Sequence, residues 1–325
     1  MLQQRVITAT ILATLVVTAV FKLPGDYFSL ILGLIILGAA WEWAHLIGIT
    51  SPSRKYLFLL CLLLPMLWIQ FWTQFLEGLQ YVIETAQQDL YQHAKKVGWI
   101  SISTFMEYLN VPDVRLYSGV LEWLVIPPVI FWVLVMALIK HSPTGVLQLE
   151  LKPRQKAWIG GFVLLSAWMF LVRLRVLYGP EMAMYFLILI WAADISAFFV
   201  GKLYGKAKLA PEISPGKTMA GFYGALASAV VCGVLVSLIY GFPIMNASDF
   251  VLLSVLTVLI SIYGDLFFSV VKRQSGVKES GSILPGHGGI LDRIDSMIAA
   301  TPFFYAGIFL IYRVIEDAQS AGAAG

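Results

Sequence analysis

The sequence predicts an all-α, polytopic integral membrane helix bundle with about nine transmembrane helices, and three observations carry that prediction. Hydrophobic residues make up 59% of the 325-residue chain and charged residues only 13%, whereas soluble domains hold about half apolar and a quarter charged residues. The mean hydropathy is +0.82. Apolar runs of about 20 residues, the length of one bilayer crossing, recur along the chain with few long polar stretches between them. Together these exclude a water-soluble globule and leave no room for a separate soluble domain. The net charge of +3 gives no reason to expect nucleic acid as a partner. Cys61 and Cys232 both lie inside apolar runs, so neither a disulfide framework nor a cysteine metal site is expected.

The spans are expected at 6–23, 28–48, 56–75, 119–139, 157–176, 182–201, 219–240, 249–270 and 294–313. The first follows Arg5, as a signal peptide would, but its apolar run is long for one and no clear cleavage site follows. We read it as a span. Basic residues are retained on the cytoplasmic side. With the N-terminus inside, fifteen of the 22 Lys and Arg residues fall on inner segments, among them Arg54, Lys55, Lys140, Lys152, Lys202, Lys217, Lys272 and Arg293. Three parts follow: N-terminal membrane helices over 1–180, a C-terminal membrane region over 181–318 with cytoplasmic loops at about 202–218 and 272–293, and a disordered tail over 319–325. The polar insertion at 76–118 reads as one or two interfacial helices. No fixed-period repeat or similarity between halves is evident, which argues against an inverted-repeat transporter.

An ionised side chain at the bilayer centre costs roughly 2.5 to 3.5 kcal/mol even on lenient scales, so each one needs a partner or a use. Glu42, in Trp-Glu-Trp, is expected to anchor a helix end at the interface. Asp194 and Asp265 lie inside the sixth and eighth spans with no basic residue within a helical turn, and both lead into basic loops. Asp265, Ser269 and Lys272 recur at i, i+4 and i+7, one face of a helix.

The loop from Lys272 is the densest polar segment of the chain. A positive-inside loop ending in an Asp292 N-cap explains part of it. It does not explain Asp292 and Asp295 at i, i+3 around Arg293, or a glycine-flanked His287 beside Gly288 and Gly289, where backbone N–H groups can approach anionic oxygens. The earlier loop brings Ser214, Gly216, Lys217 and Thr218 to the start of a helix. Gly-Lys-Thr invites a P-loop reading, but Pro211 stands where the motif needs its first glycine, and no strand is expected before it. A lysine, a hydroxyl and helix N-terminal N–H groups still suit a phosphate. Carboxylates at membrane depth beside two such loops suggest a divalent cation gripping a polyphosphate, and few carboxylates completed by substrate phosphates is the habit of Mg2+. Scattered His45, His93, His141 and His287 make zinc unsuitable.

These residues resemble the phosphatidate cytidylyltransferase (CDP-diacylglycerol synthase) family. The family signature is similar to Ser269-Val-Val-Lys272-Arg273, Lys278-Glu279 and Pro285-Gly-His287-Gly288-Gly289-Ile-Leu-Asp292-Arg293-Ile-Asp295. Asp194, Leu209-Ala-Pro211, Ser214-Pro-Gly-Lys217-Thr218, Gly264-Asp265, Arg5 and Ala40-Trp-Glu-Trp also look like the family, with strong similarity over roughly 190–300. Glu279 replaces a usual Asp, and Met219-Ala220 replaces a usual Trp followed by Glu or Gln. We read both as tuning.

The resemblance implies a nucleotidyltransferase of phospholipid biosynthesis at the bacterial inner membrane, making CDP-diacylglycerol and pyrophosphate from CTP and phosphatidic acid with Mg2+, aided by K+. It implies a catalytic set of Asp265, Asp292, Lys272 and Arg273. Asp265, Asp292 and Asp295 would hold metal, with Asp194 in support. Ser214, Lys217, Thr218, Ser269, Lys278, His287, Gly288, Gly289 and Arg293 would contact substrates. The expected partners are CTP, phosphatidic acid and membrane lipids, not nucleic acid, and a homodimer stays open. Gly221, Ala225 and Ala229, spaced by four, would allow close helix packing around the site. A CTP-dependent polyprenol kinase and an ion-coupled transporter are the competing readings.

Overall fold

The computed structural model describes residues 2–97, 120–241, 244–283 and 288–323. In chain order its elements are α1 (Leu2–Lys22), α2 (Gly25–Leu46), α3 (Pro52–Val97), α4 (Val120–Trp123), α5 (Ile126–His141), α6 (Pro143–Gln148), α7 (Pro153–Tyr204), β1 (Lys208–Ala210), β2 (Ser214–Thr218), α8 (Met219–Ile239), α9 (Ile244–Gln274) and α10 (Leu291–Ala323). This is a polytopic all-α membrane protein: among the described residues, seven helices are long and apolar enough to cross a bilayer. One of them, the 52-residue α7, breaks at Gly179, whose φ of 89° lies in the left-handed region, and Pro180 follows without an N–H to donate. Its two limbs are the expected fifth and sixth spans, each about 39 Å long at 1.5 Å per residue. With α1, whose shorter apolar stretch is Thr10–Lys22, every expected span has its helix.

The chain divides into two compact units, Met1–Leu62 with Val125–Gly325, and Leu63–Leu124. The smaller unit corrects one expectation. The helix expected to stop near 75 runs unbroken to Val97, because the polar stretch holds no proline and carries a stabilising i, i+4 pair, Gln80 Nε2 donating to Glu84 Oε1 at 2.9 Å. Aromatic rings on this helix also pair at i, i+4, Trp68 with Trp72 and Phe71 with Phe75. Residues 98–118 of the expected insertion lie outside the described residues.

In the larger unit, small residues set the helix spacing. Gly221, Ala225, Ala229, Gly233 and Ser237 form one buried stripe on α8, extending the expected three by two. A Cβ on Gly221 would stand 2.6 Å from the Ala197 carbonyl oxygen of α7, and one on Gly264 of α9 would overlap Ala299 of α10. Trp43 of α2 is buried, donates Nε1 to the Lys156 carbonyl at 3.1 Å and packs edge-on against Phe268 of α9. Arg175 of α7 donates to the Val20 and Leu23 carbonyls at the end of α1.

A two-stranded antiparallel hairpin, β1 with β2 in the register Lys208↔Thr218 and Ala210↔Ser214, links α7 to α8 and is the one sheet among the described residues. Ser320–Ala323, expected in a disordered tail, continue α10, which no proline interrupts there.

Candidate active site

The site forms where the ends of α7, α8, α9 and α10 gather beside the hairpin, with the end of α2 against the start of α10. Gln274 at the end of α9 donates to the Val146 and Leu149 carbonyls at 3.1 Å, and Ser275 Oγ to the Leu46 carbonyl at 2.5 Å, which ties α9 to α6 and α2. Because Gly264 admits α10 so closely, the Asp295 backbone lies 3.4 Å from where a Gly264 Cβ would sit, and Asp265 is the next residue on α9. Two carboxylates expected inside separate spans are thereby brought together.

Lys217 of β2 pairs with Asp265 Oδ2 at 2.7 Å and donates to the Ile262 carbonyl at 3.4 Å. Ser269 donates to Asp265 Oδ1 at 3.4 Å, so the predicted i, i+4 stripe is in contact. Lys272 lies 2.8 Å from Asp292 Oδ1 and 3.7 Å from Asp295 Oδ2, one ammonium shared by two acids. Asp265 stands within Coulombic range of Asp194, Lys272 and Asp295. Four carboxyl groups, Asp194, Asp265, Asp292 and Asp295, thus face two lysines, an excess of acids over bases.

Asp292 is not the N-cap that a structural loop would use. It lies inside the first turn of α10, and its Oδ2 accepts from the backbone N–H groups of Ser280 at 2.8 Å and Gly289 at 3.1 Å. Gly288 adopts φ 81°, and a Cβ there would come within 3.2 Å of the same oxygen. Asp295 is 8% exposed and also accepts from Ser296 N–H at 2.8 Å.

The remaining predicted residues take separate positions. Thr218 caps α8, its Oγ1 accepting from Gly221 N–H at 3.1 Å, so its hydroxyl serves the helix. Gly-Lys-Thr lies in β2 rather than in a phosphate-wrapping loop, in keeping with the rejected P-loop reading. Arg273 donates to the Ile213 carbonyl in the hairpin turn at 3.4 Å. Ser214 faces Ala210 in the hairpin, Lys278 and Arg293 are exposed, and His287 lies outside the described residues.

Sequence reasoning missed Glu42. It is 3% exposed, not an interfacial anchor, and accepts from Ser280 Oγ at 2.9 Å, Ile290 N–H at 3.0 Å and Leu291 N–H at 2.8 Å. The signals for such a role were its position inside a largely apolar helix and the family-like Ala40-Trp-Glu-Trp that contains it.

A cavity of about 480 Å³ opens between α5, the hairpin, α8 and α9, lined in part by Lys140, Glu212, Met219, Tyr263 and Leu266. Leu259, Tyr263 and Leu266 lie about 100° to 160° round α9 from Asp265, so the cavity opens on a different face of that helix from the charged cluster. The Met219 departure from the family pattern falls on its wall.

Among the described residues no three acid, histidine or cysteine side chains gather into a metal cage. An oxygen-only set with more acids than bases fits Mg2+, which binds through one or two carboxylates and takes its other ligands from substrate phosphates and water.

The sequence profile of the cytidylyltransferase family matches residues 3–311. The chain is 32% identical to the phosphatidate cytidylyltransferase of Haemophilus influenzae over 321 residues, covering 96% of this chain and 100% of the relative. It is 32% identical to that of Pseudomonas aeruginosa over 94% of this chain and 96% of the relative. Similarity to that of Bacillus subtilis is 45% over 131 residues, 39% of this chain and 47% of the relative.

Proposed function

We propose, from the premise that this chain belongs to the cytidylyltransferase family, that it is a phosphatidate cytidylyltransferase, making CDP-diacylglycerol and pyrophosphate from CTP and phosphatidic acid. The observation that carries this reading is the cluster of Lys217–Asp265 and Lys272–Asp292/Asp295.

In the proposed reaction an oxygen of the lipid phosphate forms a bond to the α-phosphorus of CTP, and the bond between the α-phosphorus and the bridging oxygen breaks, so that pyrophosphate leaves. A phosphomonoester has a second pKa of about 6, so near neutral pH the nucleophile is already mostly a dianion. No strong general base is required. What remains is positioning and charge neutralisation. One or two of Asp265, Asp292 and Asp295 would hold Mg2+, with Asp194 in support. When bound, the ion would neutralise the phosphates and ease departure of pyrophosphate. Lys217 and Lys272 meet their carboxylates before substrate arrives and are placed to shift toward phosphate oxygens. Exposed Lys278 and Arg293 are placed to meet the nucleotide from water.

We infer that the site faces the cytoplasm with the N-terminus inside, as the distribution of basic residues supports. The acyl chains would then stay in the bilayer while the head group meets a soluble nucleotide. Every side chain named comes from one chain, so the reading needs no homodimer.

The test is purified full-length protein with phosphatidic acid and CTP labelled at either the α- or the γ-phosphate. Label from the α-position should enter lipid with release of pyrophosphate. In sealed vesicles, added CTP should be consumed only when the cytoplasmic face is outward. Lipid labelled from the γ-position would identify a kinase and overturn the assignment.

A further inference from the structure

We propose that Glu42 is a positioning residue for this reaction, fixing from the end of α2 the loop that presents Asp292. The proposal rests on the cytidylyltransferase reading and adds a part of the chain, far upstream of the signature segment, that the reaction needs.

Both Glu42 oxygens are committed: Oε1 accepts from Ile290 N–H, and Oε2 from Leu291 N–H and Ser280 Oγ. Among the described residues these partners are all N–H or O–H donors, none a cation. A carboxylate this buried is costly unless its lone pairs are satisfied. Here it meets two N–H groups that the first turn of α10 leaves without helical partners, at the positive end of that helix.

All three donors lie between 280 and 291, the stretch that closes on Asp292. Ser280 is the hinge of the arrangement, since its hydroxyl reaches Glu42 while its N–H reaches Asp292 Oδ2. The loop is thus strung between two carboxylates 250 residues apart in sequence. At two described positions there is no room for a side chain: a Cβ on Gly281 would stand 2.6 Å from Glu42 Oε1, and one on Gly289 would overlap Glu42 and Ser280. On α2 itself, a Cβ on Gly38 would come within 2.8 Å of Ile290. An acid serving only to hold helices together would not need every contact in the one loop that aims Asp292 at Lys272.

The test uses full-length protein in detergent. Glu42→Gln keeps the shape but turns an NH2 toward donors that need an oxygen. Turnover of CTP should fall about 10- to 100-fold, the usual cost of losing an outer partner of a ligand. The KM for phosphatidic acid should hold, and half-maximal Mg2+ should rise. Ser280→Ala, which removes one bond, should shift the same quantities in the same direction by less, and it stands in if Glu42→Gln does not fold. Amide exchange supplies a readout independent of activity: 280–283 and 288–292 should exchange faster in either variant, with α8 unchanged. Wild-type turnover, Mg2+ dependence and exchange in a folded variant would overturn the proposal. If the parent chain makes no CDP-diacylglycerol, the enzymatic reading fails instead, and exchange alone decides whether Glu42 holds the loop.

Discussion

Lys272 and Lys217 carry the same charge in different settings, and the difference decides what removing each should do. Lys272 and Asp292 are 12% and 11% exposed at the side chain, whereas Lys217 and Asp265 are 24% and 33% exposed. Removing one partner of a buried pair leaves the other uncompensated, at a cost of roughly 3 to 5 kcal/mol, while water screens a more open pair. Lys272→Met should therefore lower the thermal unfolding temperature clearly more than Lys217→Met, although both should abolish turnover. Equal melting of the two variants would show that burial does not separate them. At this scale the sequence was informative where chemistry and spacing coincided. Asp265, Ser269 and Lys272 announce themselves by helical period, and Asp292 and Asp295 by an i, i+3 pair. The roles that Glu42 and Thr218 take were less legible, because most of their partners are backbone N–H groups, which a side-chain pattern does not reveal.

The elements explain how acids scattered over a hundred residues meet. Gly264 precedes Asp265 on α9 and lies against Ala299 of α10, one turn beyond Asp295. The glycine is required by proximity rather than by its own backbone angles. Gly264→Val should force α9 and α10 apart at about 1 to 3 kcal/mol, the range for overpacking, and turnover should be lost beyond what the stability change explains. Gly216→Ala in β2, where a Cβ meets nothing within 4 Å, should leave melting and turnover near the parent values. The test fails if Gly264→Val melts and turns over as Gly216→Ala does. The helices themselves were legible from apolar runs, and the break in α7 from the gap between the expected fifth and sixth spans. Two features were not: the hairpin of β1 and β2, too short and polar for an alternating pattern, and the continuation of α3 to Val97, where falling hydropathy was read as the end of a helix although nothing in the sequence stops one.

For the whole molecule, composition and hydropathy already dictate a membrane protein, and the comparisons place the chain in its family across nearly its full length. What no linear reading supplies is the convergence of α2, α7, α8, α9 and α10 on one cluster of four acids and two lysines. That cluster is the centre of the account. The most direct measurement follows transfer of α-labelled CTP into lipid while Mg2+ is titrated against a chelator, for the parent chain and for Asp265→Asn and Asp295→Asn shown by their melting to be folded. The account predicts strict dependence on the ion in the parent and loss of transfer in both variants. Transfer that survives complete chelation, or persists undiminished in both variants, would contradict it.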